Sequence, residues 1–260
     1  MNIAASTYLN SAPLVYSFSS GLLAKNVTFL GDTAPSRCAE MLERGEAAAA
    51  LIPVIELERI PHLIAVPDVA VASKFRVRSV ILASKVPVET ARRVALDSSS
   101  RTSQALVRIL FERRYKARPE FIQRTPDPLT GCANMFEDCD AALVIGDPAM
   151  RLEADHDSHL KVYDLATEWR DLTGLPFVFA VWAVREGASI DPEVFLRAKE
   201  EGLARREQIA EEYEPVLRLP KHELLDYLVN SVNYDLDEEN KAGMAKYFEF
   251  ARELRQAKAL

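Results

Sequence analysis

The chain reads as a two-lobed α/β protein with a ligand cleft between the lobes, and three features predict this. Apolar runs alternate with segments of helical spacing from Asn2 to about Val54; the alternation restarts after Pro87; and a long apolar run, Leu175 to Val184, has the character of a strand returning between lobes. At 260 residues with 48% hydrophobic content, the chain can build two cores of ordinary size. The expected division is 1–83 with 184–260 in lobe 1, including the C-terminal helices, and 84–183 in lobe 2, joined by two crossover strands. Two crossings predict a cleft with a hinge.

The chain opens with a short apolar strand, Asn2 to Ala5, that delivers the stretch from Ser6 to Leu14 to a sheet edge. Tyr8, Asn10 and Ser11 bring neutral hydrogen-bonding groups there, the composition of a ligand loop. Pro13 suits the first turn of a helix, so Asn10 and Ser11 have a capping reading beside the binding one. Val27 to Leu30 reads as a second strand, after which Pro35-Ser36 opens a helix that Gly45 stops. Ala48 to Val54 is continuously apolar, as in a strand buried on both faces. Pro53 ends it abruptly, which places Ile52 and Pro53 near the carboxyl edge of the sheet, where open α/β folds bind ligands. Val66 to Ala72 and Val77 to Ser84 read as two further strands, joined by a basic segment whose Arg76 and Arg78 are a solvated cluster by default.

In the second half, the strand Arg93 to Leu96 empties into Asp97-Ser98-Ser99-Ser100-Arg101-Thr102-Ser103, ahead of a helix from Gln104 to Tyr115. Five hydroxyls and a helix start meet in that turn, more than one cap needs, which makes Ser99, Ser100, Arg101, Thr102 and Ser103 candidates for holding a carboxylate or phosphate. Phe121 to Arg124 and Ala141 to Ile145 are strands. Gly146 then permits close backbone approach, and Asp147 before Pro148 reads as a helix cap in preference to a charged catalytic group. Val162 to Leu165 reads as a polar turn, and Thr173-Gly174 as a contact or a simple turn. From Pro192 onward, Phe195, Leu203, Leu228 and Tyr247 belong to helical stripes that read as packing faces.

A formal net charge of -7 argues against a general nucleic-acid binder, while a local pocket can still take an anion. The odd set Cys38, Cys132 and Cys139 fits a reducing compartment better than a disulfide framework. No signal-like segment precedes the first strand and no apolar run approaches a membrane span, so the expected location is the cytoplasm, with no membrane partner. His62, His156, His159 and His222 lack ligand spacing, and His156 and His159 read as surface residues; neither a metal nor another cofactor is expected.

Taken together, Tyr8-Leu9-Asn10-Ser11-Ala12-Pro13-Leu14, Pro35-Ser36-Arg37, Ala50-Leu51-Ile52-Pro53-Val54, Arg78-Ser79-Val80, the serine-rich turn at Asp97 to Ser103, Ala141 to Asp147 and Thr173 to Trp182 resemble the chorismate dehydratase (MqnA) family of the futalosine route to menaquinone. The likeness is ordered and spans roughly Ile3 to Val184, with departures at Ala48 and Cys38 that read as structural. It implies a type II periplasmic-binding-protein-like fold and a lyase that removes water from chorismate to give 3-[(1-carboxyvinyl)oxy]benzoate. The dihydroxynaphthoate synthase of the same pathway resembles it less, since that relative has a different opening loop and a catalytic histidine, whereas the four histidines here fall outside the ligand loops.

On this resemblance Asn10, assisted by Ser79, is the candidate catalytic residue, orienting the enolpyruvyl carboxylate or the departing hydroxyl. Tyr8, Ser11, Ile52, Pro53, Arg78, the 99–103 turn, Gly146, Asp147, Thr173 and Gly174 are the candidate substrate contacts. The motifs offer no His, Lys or Glu base, so the substrate's own carboxylate is the expected base, with Asp147 the alternative. A receptor for a small carboxylate, using the same cleft without chemistry, is the rival function. The oligomeric state is left open.

Overall fold

The computed structural model describes residues 1–127, 132–155 and 159–259. In chain order, the first half comprises β1 (Asn2–Ser6), α1 (Ala12–Ser19), β2 (Thr28–Asp32), α2 (Pro35–Arg44), β3 (Ala49–Pro53) and β4 (Leu63–Ser73). The second comprises β5 (Val80–Ser84), β6 (Arg93–Asp97), α3 (Arg101–Leu110), β7 (Glu120–Arg124), β8 (Ala141–Ile145), α4 (Gly146–Ala154), β9 (Lys161–Asp164) and α5 (Leu165–Thr173). Then follow β10 (Phe177–Arg185), α6 (Glu193–Ala204), α7 (Arg206–Leu217), α8 (Lys221–Asp226) and α9 (Glu238–Ala259). Among the described residues no helix is long and apolar enough to cross a membrane.

The strands form two five-stranded sheets of the same design, β2-β1-β3-β10-β4 and β7-β6-β8-β5-β9. In each, three strands run parallel (β2, β1 and β3; β7, β6 and β8), and the neighbour of the third runs antiparallel. The antiparallel strand of the first sheet, β10, returns from beyond the second sheet, whereas β5 to β9 form the second sheet from one continuous stretch of chain. Strand pairing therefore puts the two changes of sheet at 74–79 and 174–176, where 84 and 183 were expected. Apolarity could not reveal this, because β5 and β10 are buried whichever sheet they join.

The first change of sheet has a defined geometry. Ser79 N–H donates to Val77 O at 2.6 Å across Arg78, whose φ is 60°, a γ-turn of the rare positive-φ kind. This is why the strand expected from Val77 starts only at Val80. The Asp164 carboxylate holds the turn, accepting from the N–H groups of Val77 at 3.0 Å and Arg78 at 2.6 Å. It also caps α5, accepting from Ala166 and Thr167. The segment expected as a polar turn near Val162 is thus an edge strand and a helix start, and its polar residue serves a distant backbone.

One apolar core runs through both sheets, joining Ile52, Ala70 and Ala72 of the first to Leu82, Val94 and Leu96 of the second. Trp169, Phe177 and Tyr247 meet edge to face within it, so α9 lies across the seam, against α3 of lobe 2 and β10 of lobe 1, while α6 to α8 cover lobe 1. Among the lobe 1 contacts, α1 meets α6 closely at Gly202, where a Cβ would overlap the Pro13 carbonyl oxygen. Gly202→Ala must therefore push α6 away from the start of α1. Its denaturant midpoint is expected to fall, corresponding to about 1–3 kcal/mol of lost stability at unchanged m-value.

Candidate functional site

A cavity of about 500 Å³, mouth included, opens between the lobes. Lobe 1 contributes Ser6, Tyr8, Asn10 and Ser11 from the β1–α1 loop, Pro35 at the start of α2, and Leu51, Pro53, Val71, Phe179 and Ala180 from strands. Lobe 2 contributes Val80, Ser100, Ser103, Ile145 and Gly146. Among the described residues no Lys, Arg, His, Asp or Glu lines it. Positive potential comes instead from backbone: the N-termini of α1, α2, α3 and α4 all reach the cavity wall, each carrying roughly half a positive charge.

The start of α3 is left open although a good capping residue is present, whereas in α1 and α2 backbone carbonyls and the prolines Pro13 and Pro35 account for the first-turn N–H positions. Ser11 and Ser100 occupy the cap positions of α1 and α3, yet neither side chain caps. The Ser11 hydroxyl turns to the carbonyls of Ser6 and Tyr8, at 2.8 and 2.9 Å, and so shapes the loop. The Ser100 hydroxyl donates to Ser103 Oγ at 2.8 Å, which leaves the Ser103 proton to point elsewhere. Among the described residues, the N–H groups of Arg101, Thr102 and Ser103 have no acceptor. The first turn of α3 thus presents three backbone donors and a polarised hydroxyl, the equipment for a carboxylate.

Asn10 is half-buried at the wall, and its amide makes no hydrogen bond among the described residues. Tyr8 lies flat over Gly146, where a Cβ would fall 2.5 Å from the ring and where φ is 66°, so only glycine fits on both counts. Burial pushes the Tyr8 hydroxyl well above its usual range, and the Asp97 and Asp147 carboxylates add to the effect. Asp97 is itself pushed up to about 6 by burial, against bonds from the Ser99 N–H and hydroxyl.

Several expected contacts are turned to other partners. Asp147 is not a cap: its Oδ1 accepts the Leu9 N–H at 2.9 Å from across the cleft, and α4 begins at Gly146, two residues before the expected first helical residue, Pro148. Ser79 is buried off the wall, its Oγ accepting from Tyr227 Oη and its carbonyl from Gly146 N–H, both at 2.7 Å. Arg78 faces a separate groove, paired with Glu153 at 3.1 Å and Glu223 at 3.7 Å. Arg101 reaches lobe 1, where it pairs with Glu40 at 2.7 Å and the fully buried Glu56 at 3.0 Å. Thr102 Oγ1 accepts the Ile55 N–H, and its carbonyl accepts from Tyr247 Oη. Ile52 is in the core, while Ser99 serves Asp97 and faces an outer recess with Tyr8 and Arg37. Thr173 bonds the Trp169 carbonyl and Gly174 ends α5, away from the cavity. His159 is exposed, and His156 lies outside the described residues.

Ser6, Leu51, Val71, Val80, Ile145, Phe179 and Ala180 line the cavity without having been singled out. Most are apolar strand residues, indistinguishable by sequence from their core neighbours. Pro35 carried a signal as a helix-opening proline, but not its orientation.

The comparisons agree with this architecture. A crystal structure of a protein from Archaeoglobus fulgidus superposes with a TM-score of 0.74 at 18% identity, covering 98% of this chain and 97% of that one. The periplasmic aliphatic sulphonate binding protein SsuA from Escherichia coli gives 0.63 at 17% identity, covering 100% and 88%. At these identities the likeness is one of fold. In sequence, the chain is 32% identical over 236 residues to the chorismate dehydratase of Thermus thermophilus, covering 83% of each. The family model described as menaquinone biosynthesis matches residues 1–253. This chain is therefore a member of the menaquinone biosynthesis family, on a periplasmic-binding-protein-like scaffold.

Proposed function

We propose that this chain is a chorismate dehydratase, removing water from chorismate to give 3-[(1-carboxyvinyl)oxy]benzoate on the futalosine route to menaquinone. The observation that carries the reading is a cavity lined, among the described residues, by no charged side chain and met by the open first turn of α3, in a member of this family. Chorismate has two carboxylates, one on the ring and one on the enolpyruvyl group. Backbone donors can hold both without the desolvation cost of buried lysines or arginines.

The reaction breaks a C–H bond at the ring carbon bearing the ether and the C–O bond of the neighbouring hydroxyl; water leaves and the ring becomes aromatic. Negative charge developing at the ether carbon spreads through the ring diene onto the ring carboxylate. The free N–H groups of Arg101, Thr102 and Ser103, with the Ser103 hydroxyl, suit that carboxylate and favour the charge as it grows. Among the described residues no carboxylate, imidazole or amine lines the wall, which supports the enolpyruvyl carboxylate as the group that takes the proton. Asn10, its amide uncommitted, orients that carboxylate or the leaving hydroxyl. Catalysis is then positioning in a site closed to water.

The test is to incubate the protein with chorismate and follow product by chromatography and mass. Asn10→Ala is expected to lower kcat by about 10²–10³-fold, the usual cost of a lost transition-state donor. Tight chorismate binding without product from the native chain would make it a receptor instead. Ser103→Ala removes one charge-assisted hydrogen bond present before and during reaction, so its KM is expected to rise by roughly tenfold or more. A chorismate analogue with the enolpyruvyl carboxylate as its amide should bind and not react; normal turnover of it would require a protein base.

A further inference from the structure

We propose that Asp147 is a positioning residue, holding from lobe 2 the lobe 1 loop that carries Asn10 by accepting the Leu9 N–H across the cleft. Its catalytic consequence rests on the dehydratase reading; the tie itself does not.

The loop's other ties come from lobe 1. Thr7 N–H donates to Asp32 O at 2.9 Å, Thr7 O accepts from Tyr213 Oη at 2.8 Å, and Ser11 bonds back to Ser6 and Tyr8. The Leu9 side chain is fully buried in the lobe 1 core. Its N–H, by contrast, is satisfied by a carboxylate 138 positions away in the first turn of α4. Leu9 is therefore fastened to both lobes, and Asn10, the next residue, takes its place at the wall from that fastening. An unpaired Leu9 N–H would be a buried orphan donor, which the loop would relieve by shifting. Displacement of about 1 Å is enough to cost a positioned group much of its effect.

The electrostatics suit this role. Burial pushes the Asp147 pKa up to about 6, against the Leu9 N–H bond and then Arg151 on α4, which favour the charged form, and Tyr8, Tyr213 and Tyr227 are close enough to feel that charge. Above that pH the charged form makes a charge-assisted bond to Leu9; below it the neutral acid makes a weaker one.

Three forms decide the matter: native, Asp147→Ala and Asp147→Asn, the last keeping an oxygen acceptor. Asp147→Ala is expected to lower kcat by about 10–100-fold with KM changed less than about threefold. Asp147→Asn is expected to recover most of that loss and to remove the fall in kcat expected of the native chain below about pH 6. Leu9 amide hydrogen exchange, measured without substrate, should accelerate in Asp147→Ala and not in Asp147→Asn. If Asp147→Asn binds chorismate and is as inactive as Asp147→Ala, Asp147 is a base and the proposal fails. It fails equally if Asp147→Ala turns over normally or leaves Leu9 exchange unchanged. Absence of product from the native chain would remove the dehydratase reading, while the exchange measurement would still decide the tie.

Discussion

Backbone N–H groups at a helix start need acceptors, and here the helices that meet at the cleft are not given them by their own cap residues. Ser11 and Ser100 sit at cap positions and bond elsewhere; backbone carbonyls and Pro13 close the first turn of α1, while the first turn of α3 keeps donors to spare among the described residues. Forgoing a cap costs about 1 kcal/mol per helix, which the large apolar core shared by both sheets can absorb. In return the cavity acquires positive potential without a charged side chain. The rest of the site follows from this: small residues at the wall, a glycine under Tyr8, and cations kept to the outside.

The nearby cations are spent on the seam. Arg101 joins α3 to Glu40 and to buried Glu56, which Arg59 also pairs. Beside it Ile55 N–H meets Thr102 Oγ1, and Ser36 N–H meets Ser99 O at 3.1 Å. Tyr247 of α9 fixes the Thr102 carbonyl from the same core. The anion-binding turn of lobe 2 is thereby registered against lobe 1 by several independent bonds. The hinge side carries the cost: the γ-turn at Arg78 holds a positive φ, worth about 1–3 kcal/mol of strain, and the Asp164 carboxylate stabilises it.

The two sheets repeat one strand arrangement but are completed differently: β5 to β9 are one continuous stretch of chain, whereas the first sheet needs β10, which returns after the second sheet is finished. The returning strand is therefore a structural member of lobe 1, and the core is continuous from Ile52 to Leu82.

Local chemistry wrote much of this into the sequence. The α2 helix begins at Pro35 and stops at Gly45, where φ is 76°; β3 is the continuous apolar run that Pro53 ends; and the turn before α3 does carry an open helix start. Such features depend on groups a few residues apart, and composition reports them. Tertiary structure decided the choice among competing partners: whether Asp147 capped α4 or reached Leu9, whether Ser79 faced the cavity or Tyr227, whether Arg101 met a ligand or Glu56. In each case the side chain could satisfy either partner, and only the docking of distant strands and helices brought one within hydrogen-bonding distance.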